Sequence, residues 1–431
     1  MPPSAPRVGS SFSWSEQIAE RFQCSLPDDL IDWFDQEIWK RGPEEGPADR
    51  FCYPVDAPTL LSGAPEPIWP GLMPNEFLPL VGNEMGDWLC LRFNESSEAG
   101  EIVYWYHGGG DWIPWGETLT EALLFDWVRD RLPGNHRSHA IPAISPRGAE
   151  APSASIQRRS APTPVHAWAL ERVRPSLGVP IEDMQGVELA DQLLRMRLCE
   201  AAVRCQLIVD AIGTPETVLE SAGIEPREIQ SILFDHRLAN AAERKLLEAY
   251  PQNWDAAKTH AKAMTESSPE LAWGWDLLGY AHERDNRESE ALEAYTNGLR
   301  CSSFTDQAVR LRTHAFTTEG QKFSAQRMIL NGWQPRPPDI QAYFKMLQVE
   351  SASERRQATY RFFDSHARTS RGSDAYELWH RAGWDLGAEP MGVYAELLGC
   401  LVSSAVESKR FALGRITEAH RECFRLRYGS R

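Results

Sequence analysis

The chain of 431 residues has no apolar run near the roughly 18 residues that suggest a membrane-spanning helix. It has no C-x-x-C pair: Cys24, Cys52, Cys90, Cys199, Cys205, Cys301, Cys400 and Cys423 are scattered. That spacing disfavours a zinc ribbon or a thioredoxin-like site and fits reduced, buried thiols. H-E-x-x-H, G-x-x-x-x-G-K-[ST] and a dinucleotide-binding glycine fingerprint are also missing. Met1–Ser13 is rich in Pro and Ser and lacks the apolar segment of a secretory signal, so the expected location is the cytoplasm.

Basic residues are scarce in one place only. Residues 1–134 hold 8 Lys and Arg against 23 Asp and Glu, a balance of −15. Residues 135–165 carry +3 and residues 166–431 carry −4, so most of the net charge of −16 belongs to the first region. Such a field disfavours nucleic acid, which needs a basic footprint, and steers a basic partner. It also serves solubility alone.

What is present divides the chain. A helix is expected over 25–42, with Leu30, Trp33, Phe34 and Ile38 on one face, Asp28 and Asp29 at its start and Gly42 at its end. An irregular, Pro- and Gly-rich excursion follows over 43–75. Phe77–Gly82 precedes an alternating run, Gly86–Phe93, and a turn at Asn94–Gly100 leads into Glu101–His107, which predicts an antiparallel hairpin. Trp112 and Trp115 lie in or beside a loop. Thr118 and Glu121 are spaced as a capping box for a closing helix. Residues 1–134 therefore read as an α+β domain with a mixed or antiparallel sheet and flanking helices.

Residues 135–165, with five prolines, read as a flexible linker. Ser160 after Arg158 and Arg159 is a conceivable phosphorylation site, and plain solvation explains the same residues. Residues 166–431 read as helices throughout, with a possible subdivision near 235. The first is expected over Val187–Ile212, and others begin near Thr214, at 226–235 and at 238–250. Further helices are expected near 254–266, 270–284, 287–300, 305–317, 321–330, 338–349, 353–366, 373–385, 390–406 and 411–427.

Several stretches of the first region resemble the SUKH superfamily, which includes regulators of the Smi and Knr type. They are Leu26-Pro-Asp-Asp-Leu30, Trp69-Pro-Gly71, Gly82, Gly86-Asp87, Leu89-Cys-Leu91, Ile102-Val-Tyr-Trp-Tyr-His107, Thr118-Leu119 and Ala122-Leu123. The resemblance spans Leu26 to about Val128. It implies a sheet packed on helices and a non-catalytic role in binding proteins, as toxin-neutralising immunity proteins or as adaptors. A second resemblance begins at Ala272. Trp275, Leu278, Gly279, Ala291, Tyr295 and Gly298 fall on the large, small and aromatic positions of a tetratricopeptide-like repeat. A helical bundle with one chance match is the alternative. Repeats stack because one helix pair cannot bury its own apolar face.

No constellation completes a catalytic or metal site. His107-Gly-Gly-Gly is similar to an oxyanion-hole motif, but the G-x-S-x-G elbow that chemistry needs is missing. His136 and His139 form the closest histidine pair and lack further ligands beside them. The expectation is a protein that is not an enzyme, takes no cofactor or metal, and binds protein rather than nucleic acid or membrane. The partner is expected to be basic, with a toxin among the candidates. Glu84, Asp87, Asp111, Trp112 and Trp115 are the candidate partner-binding residues, although tryptophans more often close a core. The competing readings are a regulatory scaffold with no toxin partner and an enzyme of undetected type.

Overall fold

The computed structural model describes residues 12–43, 45–107, 112–133, 161–178, 180–211, 253–302, 322–349, 351–384 and 391–429. The chain starts with a reciprocal cap. The Ser13 hydroxyl accepts from the Glu16 N–H, and the Glu16 carboxylate accepts from the Ser13 N–H. This satisfies two of the donors that a helix start leaves open, and α1 (Trp14–Phe22) follows. Ile18 and Phe22 on its inner face are fully buried.

The helix expected over 25–42 is shorter. α2 covers Asp28–Asp35, with Pro27 at the N-cap. Asp35 turns its carboxylate to the Ser15 N–H and hydroxyl, at 2.9 and 2.8 Å. Glu37 then takes a left-handed φ of 54°, and a 3-10 turn completes Ile38–Arg41. Leu30, Trp33, Phe34 and Ile38 are all buried, as the helical spacing predicts. The excursion over 43–75 is not wholly irregular: it contains β1 (Tyr53–Pro54) and α3 (Ala57–Leu61).

The sheet is a five-stranded antiparallel meander, in the order β1, β2 (Phe77–Gly82), β3 (Trp88–Phe93), β4 (Ala99–Trp105), β5 (Trp112–Gly116). β5 corrects the loop expected around Trp112 and Trp115. Its Pro114 lacks an N–H, a loss that an edge strand tolerates. The register alternates side chains between two covered faces. Trp88, Trp105 and Trp112 align across three strands on one face, and Leu89, Tyr104 and Ile113 on the other. α4 (Leu119–Val128) starts at Thr118, whose hydroxyl accepts from the Glu121 N–H at 3.2 Å.

The rest of the described chain is helical: an α+β domain is followed by a region of many helices. α5 (Pro164–Leu177) packs on α4, so the final residues assigned to the linker enter a helix that touches the first domain. The single helix expected over Val187–Ile212 is two, α6 (Gly186–Arg195) and α7 (Glu200–Ala211). Arg197 and Cys199, with φ of 56° and 54°, break it. The Cys199 N–H donates to the Glu121 carboxylate at 2.9 Å, which seats the start of α7 beside α4 and β5.

Periodicity places the later helices well. They are α8 (Trp254–Ser267), α9 (Ala272–Arg284), α10 (Glu288–Arg300), α11 (Phe323–Asn331) and α12 (Pro338–Leu347). α13 (Ala352–Ala367), α14 (Gly372–Trp384), α15 (Met391–Glu407) and α16 (Phe411–Tyr428) complete the chain. The expected helices near Thr214, 226–235, 238–250 and 305–317 lie outside the described residues. So do Asp111, His136, His139, Ser160, most of the linker and the boundary near 235.

The two regions share a continuous apolar core. Polar contacts between them are buried as well. Tyr394 Oη accepts from the Gly71 N–H at 3.0 Å, and Asn75 Nδ2 donates to Thr417 Oγ1 at 2.9 Å. His420 Nε2 donates to the Phe77 carbonyl at 2.9 Å. These contacts join described residues on either side of 134–160, which themselves lie outside the described residues.

Candidate protein-binding surface

The turn between β2 and β3 is organised by two side chains. Asn83 Oδ1 accepts from the backbone N–H groups of Met85 and Asp87, at 3.0 and 2.9 Å. Gly86 sits at φ 92°, a conformation that side chains rarely adopt. Gly82 admits the Trp88 ring, which a Cβ there would meet at 2.8 Å. Asp87 is only 5% exposed. Its carboxylate accepts from Tyr104 Oη at 2.7 Å and from the His107 N–H at 3.0 Å, and His107 Nδ1 lies 2.7 Å from it. Asp87 therefore ties β4 to the turn instead of facing a partner.

Glu84 is different. It is exposed at the turn and accepts from Tyr53 Oη at 2.5 Å. Its N–H donates to the Ala48 carbonyl at 3.0 Å, and Tyr53 Oη accepts from the Gly46 N–H at 3.0 Å. These bonds bring the 45–49 loop, β1 and the turn into one edge. Glu45, Asp49, Glu84 and Met85 are exposed there, and His107 borders it. Glu45, Asp49, Tyr53 and Met85 were not singled out from the sequence. The acidic excess of the first region was the available signal, but spacing could not show which acids would meet.

Both tryptophan candidates are core residues. Trp112 is 3% exposed and lies under the Arg92 guanidinium, 4.7 Å from its ring. Arg92 bridges Glu101 of β4, at 2.8 Å, and Glu270 of the helical region, at 2.7 Å. Trp115 is 5% exposed and meets Phe51, Tyr104 and Phe125 edge to face. The burial of Trp112, Trp115 and Asp87 removes all three from the accessible surface.

One group has the order of a nucleophilic relay. Thr163 Oγ1 lies 2.7 Å from His166 Nδ1, and His166 Nε2 lies 3.0 Å from Asp126 Oδ2. His166 and Asp126 are enclosed, however, and the Phe51 N–H also donates to Asp126 at 3.0 Å. Burial alone would raise the Asp126 carboxyl, but Arg129, His166 and Arg50 outweigh it and hold it below the usual carboxylate range. A stable carboxylate so enclosed fastens α5 to α4. Among the described residues, no cluster of His, Cys, Asp and Glu is suited to a metal.

The residues read from the sequence as a repeat signature lie on the helix pair α9 and α10. Gly279 of α9 receives the ring of Tyr295 from α10, which a Cβ would meet at 2.4 Å. Gly298 lies against Ser324 of α11 and Asp276 of α9, and Ala291 is fully buried. Leu278 is buried at the same pair, and Trp275 Nε1 donates to the Pro269 carbonyl at 2.7 Å.

The first region is thus an α+β domain whose antiparallel meander is covered on both faces and whose acidic edge is open. Residues 14–124 match the SMI1 / KNR4 family (SUKH-1). The match takes in α1, which the resemblance beginning at Leu26 leaves out. No curated protein and no solved structure matches the chain. Among the described residues no helix is long and apolar enough to cross a membrane.

Proposed function

We propose that the chain is a non-catalytic protein-binding protein of the SUKH type, an immunity or adaptor protein that receives a basic protein partner on the edge formed by Glu45, Asp49, Glu84 and Met85. The SUKH-1 match over residues 14–124 carries this reading. The balance of −15 on residues 1–134 supports it, because exposed acids steer a basic surface and select against acidic ones. Met85 supplies apolar area beside the acids, being 56% exposed. The helical region supplies a further surface, and its α9–α10 pair is read as a tetratricopeptide-like unit on the strength of the Gly279–Tyr295 packing.

A regulatory scaffold without a toxin partner is the second reading. The observation that favours it is the extent of the helical region and its buried attachment to the SUKH-1 domain, since simple occlusion of a toxin needs no such addition.

The test is affinity capture with the full chain from lysate of the source cells, beside a variant carrying Glu45→Lys, Asp49→Lys and Glu84→Lys. The expected result is a basic protein held at low salt, released at high salt and lost by the variant. Capture that survives both salt and charge reversal would remove the acidic edge from the proposal.

A further inference from the structure

Helices α10, α12, α13 and α14 leave a cavity of about 420 Å³ between them. Protein interiors seldom leave voids larger than a water molecule. A space of this size falls within the roughly 300–1,000 Å³ of small-molecule sites. Its walls are apolar and largely aromatic: Leu299 from α10, Ile340 and Tyr343 from α12, Phe362 and Phe363 from α13, and Leu378 from α14. Tyr343 and Phe363 have ring centroids 5.6 Å apart, and Phe362 and Phe363 5.2 Å, so the rings brace one another.

The charged groups on the cavity are two arginines and one acid, with one histidine beside them. Arg300 ends α10, Arg381 lies on α14 and His366 on α13, against one acid, Asp339, in the first turn of α12. Arg300 and His366 are exposed, which places them at the opening. His366 Nδ1 donates to the Phe362 carbonyl at 2.7 Å, which fixes the ring at the opening.

We propose that the cavity binds a small amphipathic organic anion, with an apolar body between the aromatic walls and a carboxylate, sulfonate or phosphate at the Arg300 end. A neutral hydrocarbon would leave Arg300 unused, and a bare inorganic anion would leave the walls unfilled. The cavity shares no residue with the acidic edge, so the proposal does not depend on the protein-binding reading.

The test titrates the full chain with 8-anilinonaphthalene-1-sulfonate and, in parallel, with uncharged N-phenyl-1-naphthylamine. Both probes are expected to bind at a single saturable site. Ala342→Trp, which places an indole on the α12 wall, is expected to abolish both. Arg300→Glu alters an exposed residue and is expected to weaken the sulfonate on the order of tenfold while leaving the neutral probe unchanged. The proposal is overturned if the wild-type chain shows no saturable sulfonate binding. It is equally overturned if binding persists in an Ala342→Trp protein of unchanged circular dichroism, or if Arg300→Glu weakens both probes alike.

Discussion

Gly279 and Gly274 lie on the same helix, yet a methyl group should have opposite effects at the two. At Gly279 a Cβ would stand 2.4 Å from the ring of Tyr295, which is fully buried and whose hydroxyl donates to Glu283 at 2.8 Å. That ring has little room to retreat, so Gly279→Ala is expected to cost about 1–3 kcal/mol by overpacking. At Gly274 the nearest atom would be at 3.5 Å, an ordinary contact, and Gly274→Ala is expected to stabilise by roughly 0.5–1 kcal/mol through helix propensity. Urea unfolding of the two variants beside the wild type checks the pair; equal effects would mean that the Tyr295 contact does not set the packing.

His420 brings pH into the joint between the two regions. It is fully buried, and its Nε2 donates to the Phe77 carbonyl, so Nδ1 is a bare acceptor with no hydrogen-bond partner. Protonation would put an unmatched donor there. Burial pushes its pKa down to about 4 from 6.5, against a smaller opposing effect of the Phe77 bond and of Glu76. The unfolded chain therefore takes up the proton first as pH falls. The contribution is fully present above about pH 6.5 and is lost between there and about pH 4, up to about 3 kcal/mol. The acid-side decline in unfolding free energy is expected to flatten between about pH 6.5 and about pH 5 in His420→Gln, which can keep the bond to Phe77 without titrating. An unaltered slope would locate the acid sensitivity elsewhere.

At the scale of elements, the same side chain explains what was legible and what was not. Thr118 and Glu121 have capping-box spacing, and the start of α4 is where that spacing puts it. Only half of the box forms, because the Glu121 carboxylate turns to the Cys199 N–H, and the backbone carbonyl of Glu121 accepts from the Cys199 thiol at 3.2 Å. Residues 78 positions apart meet there, and local periodicity carries no trace of such a meeting. The break between α6 and α7 was hidden for the same reason. By contrast, α8 to α16 follow the apolar period closely, since each buries one face on its neighbours. α1 was missed although Ser13-x-x-Glu16 was readable, and β5 was missed because Pro114 stands at the middle of its five residues and proline is rare inside strands. Glu121→Ala is expected to destabilise the protein by about 1–3 kcal/mol, as a buried donor loses its acceptor. Hydrogen exchange should show the loss first at the Cys199 amide and in α7. Unchanged protection there would mean that Glu121 does not seat the helix.

The whole molecule is where composition was least informative. The division into an acidic first region and a helical second region was plain in the charge and the periodicity. Their attachment was not, because it is made by residues such as Asn75 and Tyr376, 301 positions apart. The acids showed where charge accumulates, and the fold then separated them: Asp87 is spent inside a turn, while Glu84 stays at an edge. The attachment also changes what a fragment of this chain can be. Cutting after the α+β domain would leave the Gly71 N–H, the Asn75 amide and the Phe77 carbonyl without Tyr394, Thr417 and His420. It would also strip Glu76 of His380, 3.2 Å away, and Arg92 of Glu270. Those groups would meet water instead, but the apolar side chains of the shared core would be exposed with them, at about 1.5–3 kcal/mol for each large one, and several together rival the roughly 5–15 kcal/mol by which a whole domain is stable. The full chain is therefore expected to unfold in one cooperative transition, with the same midpoint by tryptophan fluorescence and by far-ultraviolet circular dichroism. Residues 1–133 alone are expected to melt well below it or to aggregate. Two separate transitions, or a fragment as stable as the intact chain, would show that the α+β domain stands alone and that the helices only lean on it.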